Sequence, residues 1–134
     1  MELGIHEEEF RNQRLANLEA LKAMGIAPFG GRFDRTGRIL DIRNAFAENQ
    51  RVRMAGRLLT IREMGKSIFA DLHDGTERFQ IYVRKNDLGE DSFKAFKLLD
   101  IGDIIGIEGE LCITKMADPK AKGVKWSMWE KSGL

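Results

Sequence analysis

One aromatic residue falls on the polar side of an alternating segment. In SIFADLHD, residues 67–74, the apolar Ile68, Ala70 and Leu72 alternate with a second set of residues. Phe69 belongs to that second set, whose other members are polar. Side chains of a strand point to its two faces in turn, so the ring faces solvent if the aliphatic residues form the core. An outward ring on a sheet can stack on an unpaired nucleobase, which is worth about 1–3 kcal/mol per base. The alternative is that an N-terminal helix or another subunit covers the ring.

Further groups suited to the same chemistry are predicted to share this face. Gln80 points outward from the next strand, and its carboxamide offers a base edge both a donor and an acceptor. The other candidates are cations that can reach phosphates and one carboxylate that can accept a base N–H: Arg53, Arg57, Arg62, Lys66 and Glu108. Stacking, edge readout and phosphate contacts together are the chemistry of single-stranded nucleic-acid recognition.

The middle of the chain is its basic part. Residues 51–85 carry 8 basic and 4 acidic side chains, whereas residues 1–50 carry 7 and 8 and residues 86–134 carry 7 and 9. The whole chain has a net charge of only +1. A polyanionic partner would therefore contact the middle third, although this charge also suits a solvated basic surface.

The sequence excludes several classes of site. It contains no GxxxxGK[ST] or GxGxxG phosphate-binding loop. Cys112 is the only cysteine, which excludes a disulfide framework and a cysteine-based zinc site and suits a packed or neutral rim position. His73 stands between Asp71 and Asp74 near a polar turn, where capping a strand end is a more common role than acid–base catalysis. We therefore expect this chain to need no metal or cofactor.

The expected location is the cytoplasm. No apolar run approaches the roughly 20 residues that a membrane-spanning helix needs. The acidic start, MELGIHEEEF, lacks the apolar centre of a signal peptide. A single cysteine fits a reducing compartment, and no contact with a membrane is expected.

The spacing of apolar residues predicts both helices and strands. Leucines and Met24 recur every three residues over 7–24, which predicts a helix that ends at Gly25. Weaker helical spacing is seen over 40–48 and clear helical spacing over 90–99. Alternation predicts five strands, at residues 51–64, 67–74, 77–85, 103–114 and 124–131, with an Asp74-Gly75 hairpin turn between the second and third.

This order predicts a mainly β (α+β) fold. Five strands with a helix between the third and fourth are typical of the OB-fold, a Greek-key barrel that binds oligonucleotides or oligosaccharides. A small α+β sheet with one packed helix is the competing architecture. Gly56 inside the first strand favours the barrel, because it indicates a bulge or bend that lets one strand serve two sides. Residues 1–50 would form an N-terminal helical extension and residues 51–134 the OB-fold domain.

Several motifs together resemble one family. They are AGR at 55–57, the turn MGK, SIFADLHD, ERFQIYV and LDIGDIIGIEGEL, preceded by RLANLEALKAMGIAPFGGRFDRTG. From about residue 10 to 115 the chain resembles the N-terminal anticodon-binding region of bacterial-type class II lysyl-tRNA synthetases. AGR alone also suits aspartyl- and asparaginyl-tRNA synthetases, whereas the combination is specific.

The resemblance implies roles for individual residues. It implies that Phe69 stacks on the central anticodon base, that Gln80 contacts the edge of that base and that Arg57 lies near the anticodon. Glu108 is the candidate for an assisting carboxylate. The family's anticodon is uracil-rich, its partner is lysine-specific tRNA, its full-length members are homodimers, and its catalytic domain uses ATP and Mg²⁺.

The chain departs from the family in two respects. The class II catalytic motifs have no counterpart in its 134 residues, so we expect no lysine activation by this chain alone. After Thr114 and Lys115 the sequence loses the family's pattern, which leaves closure of the barrel open. A shortened reading frame, an excised domain and a freestanding relative would each explain this. We therefore predict a tRNA anticodon-binding domain, with a freestanding single-stranded nucleic-acid-binding or protein-interaction module as the alternative.

Overall fold

The computed structural model describes residues 2–28, 33–113 and 119–131. The elements follow the predicted order, with an N-terminal helix, three strands, helices and two more strands. They are α1 (Glu2–Ala23), α2 (Ile39–Asn44), β1 (Arg51–Met64), β2 (Ser67–His73), β3 (Arg78–Arg84), α3 (Lys85–Leu88), α4 (Glu90–Phe96), β4 (Ile104–Ile113) and β5 (Pro119–Glu130). Within the described ranges, no helix has the length and apolar character that crossing a bilayer requires.

The five strands close into a barrel, which confirms the predicted OB-fold over the open α+β sheet. Their order around the barrel is β1-β2-β3-β5-β4. All neighbours are antiparallel except β3 and β5, which run parallel through Gln80–Val83 and Lys120–Gly123. β5 therefore pairs with both β3 and β4 and completes the barrel.

β1 changes its partner halfway along. Residues Arg51 to Arg57 pair with β4, and residues Arg57 to Met64 pair with β2. The prediction that β1 serves two sides is confirmed, but the bulge is not at Gly56. The register shifts between Leu58 and Thr60 instead. Gly56 serves a close approach, because a Cβ built there would lie 2.8 Å from the carbonyl oxygen of His73.

The core is built from alternate strand residues and from helix residues that cover one end. Every second residue of β2 and β3 is buried, as the alternation predicts. Helices α1, α2 and α4 all contribute to it. Their buried apolar residues are Leu18, Leu21, Ile39, Ile42, Phe93, Ala95 and Phe96.

Some apolar residues of the predicted helices and strands are exposed. Phe10 and Leu15 of α1 and the following Met24 are 67%, 45% and 40% exposed, so only about one turn of the helix reaches the barrel. Ile113 is 50% exposed because it is the last residue of β4, two positions beyond the buried Leu111.

Several predicted boundaries also differ, and the helix predicted over 40–48 ends at Asn44. α1 begins at residue 2 rather than 7, and the helix predicted over 90–99 ends at Phe96. The last strand begins at Pro119 rather than 124, because Lys120 to Gly123 form the parallel ladder with β3. Proline is tolerated as the first residue of a strand, where its missing N–H is not needed.

A buried lysine ties the end of β5 to the rest of the fold. The side chain of Lys131 is 2% exposed, and its Nζ donates to Oδ2 of Asp103 at 2.8 Å and also to Asp100. The Asp103 carboxylate accepts the backbone N–H of Asp100 at 2.8 Å, and Asn17 of α1 donates to Asp100 at 3.1 Å. This network joins α1, the turn before β4 and the residue after β5.

We predict that Lys131→Met destabilises the fold by about 3–5 kcal/mol, because it leaves the Asp103 carboxylate buried without its cation. Urea unfolding followed by circular dichroism measures the loss. The matched control is Lys125→Met at an exposed position of β5, which should change the free energy of unfolding by less than about 0.5 kcal/mol. Equal losses in the two variants would contradict the anchoring role of Lys131.

Candidate nucleic-acid interface

Side chains on the outer surface of β1, β2 and β3 form aligned rows. In one row Arg62, Phe69 and Tyr82 are direct neighbours across the three strands. In the next row the neighbours are Thr60, Asp71 and Gln80. These six residues are termed the β1–β3 face.

The bulge in β1 determines which residues of that strand join the face. Arg57 is exposed before the register shift, and Thr60 and Arg62 are exposed after it. Strict alternation from Arg57 would instead point Leu59 and Ile61 outward. The extra residue therefore presents the Thr60 hydroxyl and the Arg62 guanidinium, while Leu59 and Ile61 are half-buried.

A pocket opens on the β1–β3 face. Its volume is about 350 Å³, and its lining residues are Thr60, Ile61, Arg62, Phe69, Asp71 and Gln80. It is termed the Phe69 pocket. The structure thus brings together an aromatic ring, a carboxamide, a carboxylate and a guanidinium in one concavity.

The ring of Phe69 is partly exposed and rests on its cross-strand neighbour. The centroids of Phe69 and Tyr82 are 5.6 Å apart and the ring planes differ by 21°, which is a stacked arrangement. Burial and the adjacent Cys112, whose Sγ–H donates to the Tyr82 hydroxyl at 3.7 Å, raise the pKa of Tyr82 to about 12. Tyr82 is therefore a neutral, fixed support for the Phe69 ring. Cys112 itself is half-buried.

Asp71 is held in place by one hydrogen bond and one ion pair. Thr60 Oγ1 donates to its Oδ2 at 2.8 Å, and the Arg78 guanidinium lies 3.5 Å from the same oxygen. Among the described residues, nothing hydrogen-bonds Oδ1 of Asp71 or the carboxamide of Gln80. The Phe69 pocket therefore presents one fixed acceptor and one amide that is free to turn.

Arg57 lies beside a second, larger pocket. Its guanidinium donates to the backbone carbonyl of Gly102 at 2.9 Å. This pocket has a volume of about 590 Å³, and its lining residues are Phe33, Arg35, Ala55, Gly56, Arg57, Leu59, His73, Asp74, Gly75 and Ile104. Since Leu59 and Thr60 are consecutive, the two pockets adjoin along β1.

The turn beside this second pocket is firmly built. His73 Nδ1 accepts the N–H of Gly75 at 2.9 Å, which is the predicted capping role. Burial tends to raise the pKa of Asp74, but hydrogen bonds from Thr76 and from the N–H of Ile39 lower it to about 2. The turn therefore holds the start of α2 against the barrel with a carboxylate that stays ionised.

Arg53 and Glu108 lie away from the Phe69 pocket. They are direct partners at the β1–β4 pairing, and their side chains approach to 3.8 Å. Arg51 lies 3.6 Å from Glu108, and the guanidinium of Arg53 lies over the Phe33 ring at 4.7 Å from its centroid. Nine strand residues, or roughly 30 Å along an extended chain, separate Arg53 from Arg62. The structure does not bring Glu108 to the predicted base-binding residues.

Lys66 occupies the exposed turn between β1 and β2. Its backbone carbonyl accepts the N–H of Lys85 at 3.1 Å, which links this turn to the end of β3. The side chain of Lys66 is exposed at this turn.

Sequence reasoning did not select three residues of the face: Thr60, Asp71 and Tyr82. Alternation along β2 and β3 points Asp71 and Tyr82 outward. It does not show that Tyr82 supports Phe69 or that Asp71 is opposite Gln80. The register set by the Asp74-Gly75 hairpin could have shown both pairs. The outward position of Thr60 depends on the bulge, for which the sequence carries no clear sign.

Comparison with known proteins agrees with this geometry. Residues 52–123 match the family described as OB-fold nucleic acid binding domain. The chain is 39% identical over 139 residues to a lysine–tRNA ligase of Streptococcus pyogenes serotype M49, an alignment that covers 95% of the chain and 28% of the relative. It is 42% identical over 126 residues to a lysine–tRNA ligase of Pelotomaculum thermopropionicum, covering 92% and 25%.

A lysine–tRNA ligase of Syntrophomonas wolfei is 40% identical over 119 residues, covering 87% of the chain and 24% of the relative. The chain thus spans about a quarter of the length of these relatives. The resemblance seen in the sequence motifs is confirmed.

We predict that the phenol of Tyr82, the only tyrosine, titrates near pH 12 in the folded chain rather than near 10. Because its folded pKa is raised, Tyr82 should lower the free energy of unfolding as pH rises above about 10. Tyrosinate absorbance in a pH titration measures the first effect. Cys112→Ala should lower the midpoint only in part, since burial is the larger cause. A midpoint near 10 in the folded protein would show that the ring is not buried against Phe69.

Proposed function

This chain belongs to the family of OB-fold nucleic-acid-binding domains, and we propose that it binds the anticodon loop of a tRNA that accepts lysine. The observation that carries the proposal is the Phe69 pocket. It combines a supported aromatic ring with a carboxamide that has no partner among the described residues. These two groups suit the face and the edge of one unpaired base.

The structure favours a single-stranded ligand over a duplex. A base must leave its stack before its face can lie on Phe69, and an anticodon loop presents bases that are already unpaired. Exposed cations flank the pocket on the same surface, where they can contact phosphates. They are Arg57, Arg62, Lys66 and Arg84.

The choice of a lysine tRNA rests on the relatives and on the chemistry of the pocket. The relatives are named lysine–tRNA ligases, and the proposed ligand is a uracil-rich anticodon. Uracil carries an N3–H donor beside its O4 acceptor, and the Gln80 carboxamide can pair with both. In this proposal the domain selects the tRNA. Attachment of lysine is the task of a separate catalytic domain of a lysine–tRNA ligase.

A second candidate function is general binding of single-stranded nucleic acid. The basic middle third of the chain and the sequence-tolerant nature of stacking favour it. Competition separates the two functions. An anticodon stem-loop with UUU should compete with a labelled UUU stem-loop far better than an unstructured strand of the same composition.

We predict opposite effects for two substitutions in the Phe69 pocket. Phe69→Ala should weaken stem-loop binding by about 1–3 kcal/mol through lost stacking while leaving the preference between UUU and UCU loops nearly unchanged. Gln80→Ala should reduce the preference more than it reduces affinity for the mismatched loop, because without the carboxamide the base edge is no longer held where a neighbouring group can read it. Fluorescence-anisotropy titrations with both loops at several salt concentrations measure these effects.

The same titrations test the cation. Arg57→Ala should lower affinity for both loops and flatten the salt dependence by about one phosphate contact. Lys125→Ala, an exposed cation on β5, serves as the control for a general loss of positive charge. Wild-type binding by both Phe69→Ala and Gln80→Ala would rule out the β1–β3 face as the site.

A further inference from the structure

We infer that Asp71 is the residue that distinguishes a base with a ring N–H from a base with a ring lone pair at the Phe69 pocket. This inference rests on the proposed function, since it concerns the base that the pocket receives. The sequence predicts Glu108 as the carboxylate that accepts a base N–H, whereas Asp71 is the carboxylate at the pocket.

The carboxylate of Asp71 is oriented and leaves one oxygen for a ligand. Thr60 and Arg78 both contact Oδ2, at 2.8 Å and 3.5 Å. The side chain is 23% exposed, and the residue lines the Phe69 pocket. A half turn of this side chain only exchanges two equivalent oxygens, so one oxygen stays with Thr60 and Arg78 and the other remains an acceptor without a partner among the described residues.

Gln80 alone cannot make the distinction. A carboxamide presents a carbonyl oxygen on one side and an NH₂ group on the other, and a half turn exchanges them. Among the described residues no group holds the Gln80 amide in one orientation. It can therefore turn to match either uracil or cytosine. Discrimination requires a group that cannot turn from acceptor to donor.

An ionised carboxylate is such a group. It can accept the N3–H of uracil, but it faces a lone pair when the base is cytosine. Two acceptors at hydrogen-bond distance repel each other, and discrimination between bases often depends on such a repulsive contact. Asp71 lies directly opposite Gln80 in the β2–β3 pairing, so both can meet the same base edge.

Glu108 is not placed to contact a base in the Phe69 pocket. It lies within 3.6–3.8 Å of Arg51 and Arg53 at the β1–β4 pairing, which is the other half of β1. Two arginines already occupy its carboxylate.

The test uses the intact chain and three stem-loops with UUU, UCU or a central 3-methyluridine. The last base keeps both carbonyls but has no N3–H. The wild-type chain should bind UUU about tenfold more tightly than UCU or the methylated loop. Asp71→Asn should reduce the preference for UUU over UCU to about threefold or less, because Thr60 and Arg78 would hold its oxygen and leave an NH₂ donor in place of the acceptor. Asp71→Ala should likewise bind the methylated loop within about threefold of UUU.

Three variants separate this role from charge and from folding. Glu63→Gln removes one negative charge from an exposed position of β1 outside the pocket, so it should keep the tenfold preference. Thr60→Val, which removes the hydroxyl that orients Asp71, should lower the preference. Thr60→Ser keeps the hydroxyl and should restore it. Rescue by serine would not follow from a general loss of stability.

The outcomes distinguish this inference from the proposed function. If Phe69→Ala weakens binding but the Asp71 variants keep the wild-type preference, the inference is wrong and the proposed site stands. If neither Phe69→Ala nor Gln80→Ala changes binding, both are wrong. If Glu63→Gln loses as much preference as Asp71→Asn, the loss is due to the change in net charge alone. That result would overturn the inference.

Discussion

The barrel and its outer face both depend on how β1 passes from one partner strand to another. At Gly56 the backbone lies so close to the His73 carbonyl that a side chain would have its Cβ only 2.8 Å from the oxygen. Two residues later the register shifts, and the strand continues along β2. Without the close approach β1 could not join β4 to β2. Without the shift, Leu59 and Ile61 would replace Thr60 and Arg62 on the surface.

The Phe69 pocket follows from this local geometry. Its ring is supported by Tyr82, its carboxylate is oriented by Thr60, and its carboxamide has no partner among the described residues. The amide and one carboxylate oxygen have no partner among the described residues, so both can hydrogen-bond a ligand. The Phe69 ring and the Asp71 carboxylate are held in place, whereas the Gln80 carboxamide can turn. In the proposed function the ring supplies stacking and the carboxylate supplies discrimination.

Much of this fold could be predicted from the sequence. Alternation in SIFADLHD and RFQIYVR, the Asp74-Gly75 turn and the order of elements are sufficient for the barrel, because each is a local signal. The parallel ladder of Lys120–Gly123 with β3 joins residues 40 positions apart, and no local pattern announces it. The placement of Phe69 and Gln80 together was predictable from parity. Their grouping with Asp71 and Thr60 was not predictable, since it depends on a bulge. Glu108 was chosen because alternation points it outward, but its strand pairing places it opposite Arg53, away from the Phe69 pocket.

The central claim is that an unpaired base lies on the β1–β3 face. The most direct test follows backbone amide chemical shifts of the ¹⁵N-labelled chain while an unlabelled UUU anticodon stem-loop is added. The account predicts that the largest changes occur at Thr60–Arg62, Phe69–Asp71 and Gln80–Tyr82. Changes centred on Arg51–Arg53 and Glu108, with the β1–β3 face unaffected, would contradict it.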